Sequence, residues 1–286
     1  MRGHSNRPIV VGVDGSATAD QALRWAASDH CRRGRDVIAI LAWSLLDQHR
    51  ADPDNSFDPG YRERDAREAL DEIVVRAVGA NAAASIRHQV VCDLAVRALV
   101  DEAVSASLLV LGARGAGGFP SLLLGSTSSR VLEKVETPVA LIRSDATAVD
   151  RIIVGVDGSD TGSAALKWAV EEAEARNCGI VAIHAWTAPA LVRHVFLPDS
   201  PIFKELEGFA ADALDAAMWA VDLKDVNVER RLSHGNAAGA LLDAASEGSL
   251  LVVGSRGLSA AAGAVLGSVA RQVAQHATCP LVVVPR

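Results

Sequence analysis

The stretch Ile9-Val-Val-Gly-Val-Asp14-Gly15-Ser16 returns later in the chain as Ile152-Ile-Val-Gly-Val-Asp157-Gly158-Ser159. Ala22-Leu-Arg-Trp25-Ala returns as Ala165-Leu-Lys-Trp168-Ala, Trp43 as Trp186, and Thr137-Pro138-Val139 as Cys279-Pro280-Leu281. The offset is 143 residues through the first part and 142 from a glycine-rich loop onward, which places one gained or lost residue near Cys92–Arg97. A repeat of so long a period means two copies of one domain, not a solenoid of short units. The length of 286 residues agrees: it divides into two domains of about 140 residues, each able to bury its own core. The expected domains are residues 1–145 and 146–286.

The most informative repeated element is a spacing of glycines. Gly112-Ala-Arg114-Gly115, nine residues and Gly125-Ser126 are matched by Gly254-Ser-Arg256-Gly257, nine residues and Gly267-Ser268. Each follows an apolar run, Leu108–Leu111 or Leu250–Val253, that reads as a buried strand. Glycine admits close backbone approach and positive φ. A helix opening at Gly125-Ser126 or Gly267-Ser268 would aim unpaired N–H groups at an anion. The pattern suggests two phosphate cradles, although structural turns closing helix onto strand would use the same glycines. No lysine follows Gly125 or Gly267, so these are not P-loops.

Periodicity supplies the frame. In the first half, strands are expected at Pro8–Val13, Val37–Trp43, Ser85–Val91, Leu108–Gly112 and Pro138–Ile142. Helices are expected at Ala19–Arg33, Tyr61–Val78, Leu94–Ser105 and Ser126–Val135, and the second half repeats each step up to a last strand Pro280–Val284. Ser44–Gly60 and Thr187–Pro201 read as polar excursions that could serve as lids. Continuous apolar strands alternating with helices mean an α/β fold: a parallel sheet, doubly wound, with helices on both faces. Ligands in such sheets bind beyond the carboxyl ends of the strands, where Asp14 and the loop from Gly112 both lie.

Composition narrows the function. The net charge is −7 and the pI about 5.6, which argues against nonspecific nucleic-acid binding. No apolar run reaches the length of a membrane span, and the polar start Met1–Arg7 does not read as a signal peptide. Cys31, Cys92, Cys178 and Cys279 show no paired spacing and read as free thiols in a reducing cytoplasm. The histidines form no metal-ligand motif, and His184 reads as a packed residue near a strand end. Trp25, Trp43, Trp168 and Trp186 read as core, with base stacking as the alternative. Asp14 and Asp157 are candidate ligand contacts, with helix capping as the alternative; Ser16 and Ser159 read as caps.

With these motifs in view, the chain resembles a tandem universal stress protein of the ATP-binding branch. The resemblance rests on the strand followed by Asp-Gly-Ser, on the Gly-x2-Gly-x9-Gly-Ser loop and on the duplication, and spans nearly all of residues 7–286. It implies two five-stranded sheets of order 3-2-1-4-5, each holding ATP between its first and fourth strands. It also implies domains paired through their last strands, and a homodimer is the expected assembly. By position, Asp14 and Asp157 would sit at the adenine and ribose end, and Ala42 and Ala185 would line the adenine with backbone. Gly112, Gly115, Gly125 and Ser126, and in the second half Gly254, Gly257, Gly267 and Ser268, would hold ribose and phosphates. Arg114 and Arg256 are further phosphate candidates. The turn after the third strand departs from the repeat, with Cys92 set against Gly235. The implied cofactor is ATP, with Mg as an optional companion. No catalytic residue and no protein metal site is implied. The function read from all this is a cytoplasmic, ATP-binding stress-response regulator, acting on an unknown protein partner through nucleotide-dependent conformation or assembly. A slow ATPase and a nucleotide-independent scaffold are the alternatives.

Overall fold

The computed structural model describes residues 7–45, 47–48, 58–115, 124–144, 148–189, 192, 200–246, 248–258 and 266–285. The chain divides into two compact units, Met1–Thr147 and Ala148–Arg286. In the first, β1 (Ile9–Val13) lies between β2 (Val37–Trp43) and β4 (Leu108–Gly112), all parallel, with Ile9 opposite both Val37 and Leu108. β3 (Ile86–Cys92) extends the sheet beyond β2, and β5 (Val139–Ile142) extends it beyond β4. The order is therefore 3-2-1-4-5. In the second unit β6 (Arg151–Gly155) is central, flanked by β7 (Gly179–Trp186) and β9 (Ser249–Gly254). β8 (Val228–His234) and β10 (Leu281–Val284) complete the same order.

Helices cover both faces, which is why the inner strands are apolar, while the outer strands β3 and β8 carry polar residues such as Arg87, Gln89, Glu229 and Arg230. α1 (Ala17–Arg33) and α2 (Glu63–Val78) pack together on one face, with the short α3 (Ala80–Ala83) after α2. α4 (Ala95–Ala103) and α5 (Ser126–Leu132) also pack against each other. In the second unit α6 (Asp160–Arg176) packs with α7 (Pro201–Trp219), and α8 (Ala237–Ala244) with α9 (Ser268–His276). Ile9, Val10, Leu108, Leu109, Ile152 and Leu250 are fully buried. α1 ends at Gly34, whose φ of +67° is the left-handed cap position where glycine costs least. α2 starts two residues later than periodicity suggests, because the Asp65 carboxylate accepts from Arg62 N–H at 2.8 Å and fixes the boundary there. Tyr61 is thereby left outside the helix, edge-on to Trp43 with ring centroids 5.6 Å apart. The excursion residues 46, 49–57, 190, 191 and 193–199 lie outside the described residues.

Register relocates the difference between the repeats. Val37 pairs with Ile86, and its counterpart Ile180 pairs with Val228. Val37 and Ile180 are 143 residues apart, but Ile86 and Val228 only 142. The single-residue change thus lies between the second and third strands, not near Cys92–Arg97. Cys92 matches His234, opposite Trp43 and Trp186 respectively, so the expected contrast of Cys92 with Gly235 does not hold. Gly235 instead matches Asp93. The change is harmless where it falls, since it is absorbed in a connection rather than a strand.

Each first helix also buries an acid near its end. Asp29 is fully buried, and Arg35 donates to its Oδ2 at 3.0 and 2.7 Å. Glu172, at the same repeat position, is buried and accepts from Arg176 Nε at 2.5 Å. Removing one member of a buried pair leaves the other charge desolvated. Arg176→Met should therefore cost about 3–5 kcal/mol in urea unfolding, and Glu172→Leu/Arg176→Met should recover most of that loss. Equal stabilities for wild type and Arg176→Met would contradict this.

Candidate functional site

The site in each unit begins where the first strand ends. After β1 the chain turns through Gly15 at φ +78°, and after β6 through Gly158 at +79°. A side chain at either place would be strained. Ser16 then caps α1, its Oγ accepting from Ala19 N–H at 3.2 Å; Ser159 caps α6, accepting from Gly162 N–H at 3.0 Å. The serines are the caps, as expected. The aspartates are not: Asp14 Oδ1 accepts from Ser16 N–H at 3.0 Å, and Asp157 Oδ1 accepts from Ser159 N–H at 3.0 Å and from its hydroxyl at 2.6 Å. One carboxylate oxygen braces the turn, while Oδ2 faces the glycine loop.

Crowding requires glycine at Gly112 and Gly254 and brings Gly115 and Gly257 close to the aspartates. A Cβ on Gly112 would stand 2.8 Å from the Thr18 carbonyl carbon, and one on Gly254 would stand 2.8 Å from the corresponding atom of Thr161. A Cβ on Gly115 or Gly257 would meet Asp14 or Asp157 Oδ2 at 2.5 Å. None of Gly112, Gly115, Gly125, Gly254, Gly257 and Gly267 lies at positive φ. Of the two uses granted to glycine from the sequence, the loops employ close approach alone; the positive φ belongs to Gly15 and Gly158.

Hydrogen bonds close the root of each loop. Thr18 Oγ1 donates to the Arg114 carbonyl, and Thr161 Oγ1 to the Arg256 carbonyl. Gly125 N–H reaches Ala113 O and Gly267 N–H reaches Ser255 O, each at 2.7 Å. Leu258 N–H donates to Asp157 Oδ2 at 3.0 Å, so in the second unit the carboxylate grips the loop directly. Residues 116–123 and 259–265, the loop interiors, lie outside the described residues. Ser126 and Ser268 are the first residues of α5 and α9, whose caps Gly125 and Gly267 offer no side chain to the first-turn N–H groups. Those donors remain compatible with an anion.

In the second unit a cavity of about 430 Å³ brings all seven predicted residues together: Asp157, Ala185, Gly254, Arg256, Gly257, Gly267 and Ser268. His184, Val156 and Leu241 also line it. In the first unit, Gly125 approaches Arg114 and Gly115, and Gly115 approaches Asp14. Ala42 lies in the neighbouring strand β2, one residue beyond Leu41, the partner of Val13, and one before its last residue Trp43. Arg114 and Arg256 are exposed, and their carbonyls are the groups held by threonine. Arg76 of α2 buttresses the first turn, donating to Gly15 O at 3.2 Å and to Asp20 at 2.8 and 3.0 Å. Its hydrogen bond to Asp20 holds its pKa above the ordinary arginine value. Among the described residues no group of three or more His, Cys, Asp or Glu could hold a metal ion.

Sequence reasoning passed over Thr18, Thr161 and Leu258, and read His184 as a packed residue near a strand end without assigning it to the site. The threonines had a signal, since Asp-Gly-Ser-x-Thr occurs in both halves. Leu258 had none, because it acts through its backbone.

Known proteins resemble this chain in sequence and fold. A family model described as the universal stress protein family matches residues 5–143 and again 148–285. A universal stress protein of Mycolicibacterium smegmatis is 32% identical over 292 residues, covering 96% of each chain. One of Mycobacterium tuberculosis is 31% identical over 293 residues, covering 98% of this chain and 97% of that one. A crystal structure of a universal stress protein from Archaeoglobus fulgidus superposes with a TM-score of 0.65 at 20% identity, covering 99% of this chain and 98% of that one.

The threonine bonds make a prediction of their own. Thr161→Val keeps the shape but removes the donor to Arg256, at a cost of about 1 kcal/mol. Hydrogen exchange of the Leu258 amide should quicken about fivefold, with the first unit unaffected. Unchanged exchange would show that the loop is held without that bond.

Proposed function

The chain belongs to the universal stress protein family, and we propose that each of its units binds one ATP and acts as a nucleotide-dependent regulator. The observation that carries this reading is the cavity of about 430 Å³ in the second unit, where Asp157, the glycine loop and the opening of α9 meet. That volume falls within the range of small-molecule sites, about 300–1,000 Å³. Ala42 and Ala185 leave room for a base beside the second strand. Asp14 and Asp157 would accept from ribose hydroxyls. The first-turn N–H groups of α5 and α9, with Arg114 and Arg256, would hold the phosphates. This local complement is needed because the chain as a whole carries −7. Any accompanying Mg would be held chiefly by the phosphates.

Binding fits these groups better than turnover. Phosphoryl transfer needs a positioned nucleophile and stabilised transition-state charge. The motif residues offer N–H donors and one arginine per loop, and the aspartates belong to the ribose end. ATP would then stabilise a conformation or homodimeric assembly for a protein partner to recognise. No helix among the described residues is long and apolar enough to cross a membrane; a cytoplasmic site of action is part of the proposal.

Gly115→Val and Gly257→Val should each remove one bound ATP, because the added side chain is driven into the aspartate. ATP at 100 times its Kd should add about 2.7 kcal/mol per occupied unit. Nucleotide content after denaturation, with circular dichroism as the folding control, reads the first effect. Full content in the double variant would reject the loops as the cradle. Phosphate release from ATP should fall far below about 10 per second; several turnovers per second, lost in the double variant, would establish the ATPase instead.

A further inference from the structure

In the first unit two arginines fill the groove between α1 and the end of α2. Arg76 reaches Gly15 O and Asp20, and Arg24 donates to Ala77 O at 3.3 Å. The second unit has neither side chain. Ser16 and Trp25 match Ser159 and Trp168, which sets Ser163 at the place of Asp20 and Lys167 at that of Arg24. The buried residues Ala66, Leu70, Ile73 and Val74 of α2 match the buried Ala210, Leu214, Ala217 and Met218 of α7. Ion pairs agree with this alignment: Asp71 meets His88 of β3, and Asp215 meets Arg230 at the same register of β8. Ala220 therefore stands where Arg76 stands, and Val221 where Ala77 does. Shorter side chains also uncover the turn. A Cβ on Gly15 would meet Ile73 Cδ1 at 3.6 Å, whereas one on Gly158 would meet nothing within 4 Å. Between α6 and the segment that follows α7 lies a cavity of about 430 Å³. It shares no lining residue with the cavity at Asp157.

We propose that this cavity binds a small aliphatic zwitterion of the α-amino-acid class. Ser163 and Lys167 line it one turn apart on α6, and Lys167 makes no hydrogen bond or ion pair among the described residues. A carboxylate would satisfy that ammonium together with the Ser163 hydroxyl. Glu171, one turn further along α6, and Asp222 from the opposite wall supply carboxylates for an ammonium group. Residues four apart on a helix have Cβ atoms about 6 Å apart, so the two charges of one amino acid can face Lys167 and Glu171 together. Lys224, the other cation of the wall, is already held by Glu174. Val170, Ala220 and Val221 offer the body of the ligand an aliphatic surface. A purely anionic ligand would face two carboxylates, and a purely cationic one would face Lys167. A molecule carrying both charges is thereby selected. The first unit cannot take this ligand, because Arg24 and Arg76 occupy the matching groove.

The test titrates the full ¹⁵N-labelled chain with leucine, with 4-methylpentanoate, which is leucine without its ammonium, and with 3-methylbutylamine, which is leucine without its carboxylate. Leucine should shift the backbone amides of Lys167 and Val221 saturably, with a Kd of about 1 mM. Each analogue should bind about tenfold more weakly, through the loss of one charge-assisted contact. In Lys167→Met, leucine should weaken about tenfold while 3-methylbutylamine does not. Ala220→Arg, which restores the first unit's filling, should abolish the shifts, with circular dichroism as the folding control. The absence of saturable shifts with leucine would overturn the site. Equal affinity for leucine and either analogue, or unchanged leucine binding in Lys167→Met or in folded Ala220→Arg, would overturn it as well.

Discussion

The site in each unit depends on how closely the first helix approaches the end of the fourth strand. α1 begins against Gly112 and α6 against Gly254, at separations that leave no room for a Cβ. That approach puts Thr18 and Thr161 within reach of the Arg114 and Arg256 carbonyls. It also sets the aspartate against the next glycine. The strand end, the helix start and the loop are thereby fixed to one another before any ligand is considered. Such preorganisation lowers the ordering cost that a bound polyanion would otherwise have to meet.

The duplication keeps this framework and varies what surrounds it. Both units retain Asp-Gly-Ser-x-Thr and the full glycine spacing. The first unit adds Arg76, which ties α2 to the turn at Gly15; the matching region of the second carries no such arginine. The second unit has His184 in place of Leu41, and Ser255 in place of Ala113. These changes leave the threonine bonds at the root of each loop in place.

Much of the architecture could be read from the sequence because apolar strands and glycine spacing are local signals. The runs Leu108–Gly112 and Val37–Trp43 needed no tertiary information, and the structure gives them the same limits. The start of α2 was less legible, because it is set by the Asp65 carboxylate reaching back to Arg62 rather than by periodicity. The shift between repeats was misplaced because polar connections carry no register; strand pairing supplied it. At the site, the glycines and aspartates stood out by residue type. Thr18 and Thr161 carried a repeated signal that gained meaning once their hydroxyls were seen to reach across about ninety-five residues of chain.

Native mass spectrometry of the full chain, purified without added ligand and then equilibrated with ATP, tests the central claim most directly. The account predicts two adenine-nucleotide mass increments per chain at saturation. A chain that stays at its bare mass under conditions where it remains folded would contradict it, as would one that saturates at a single increment.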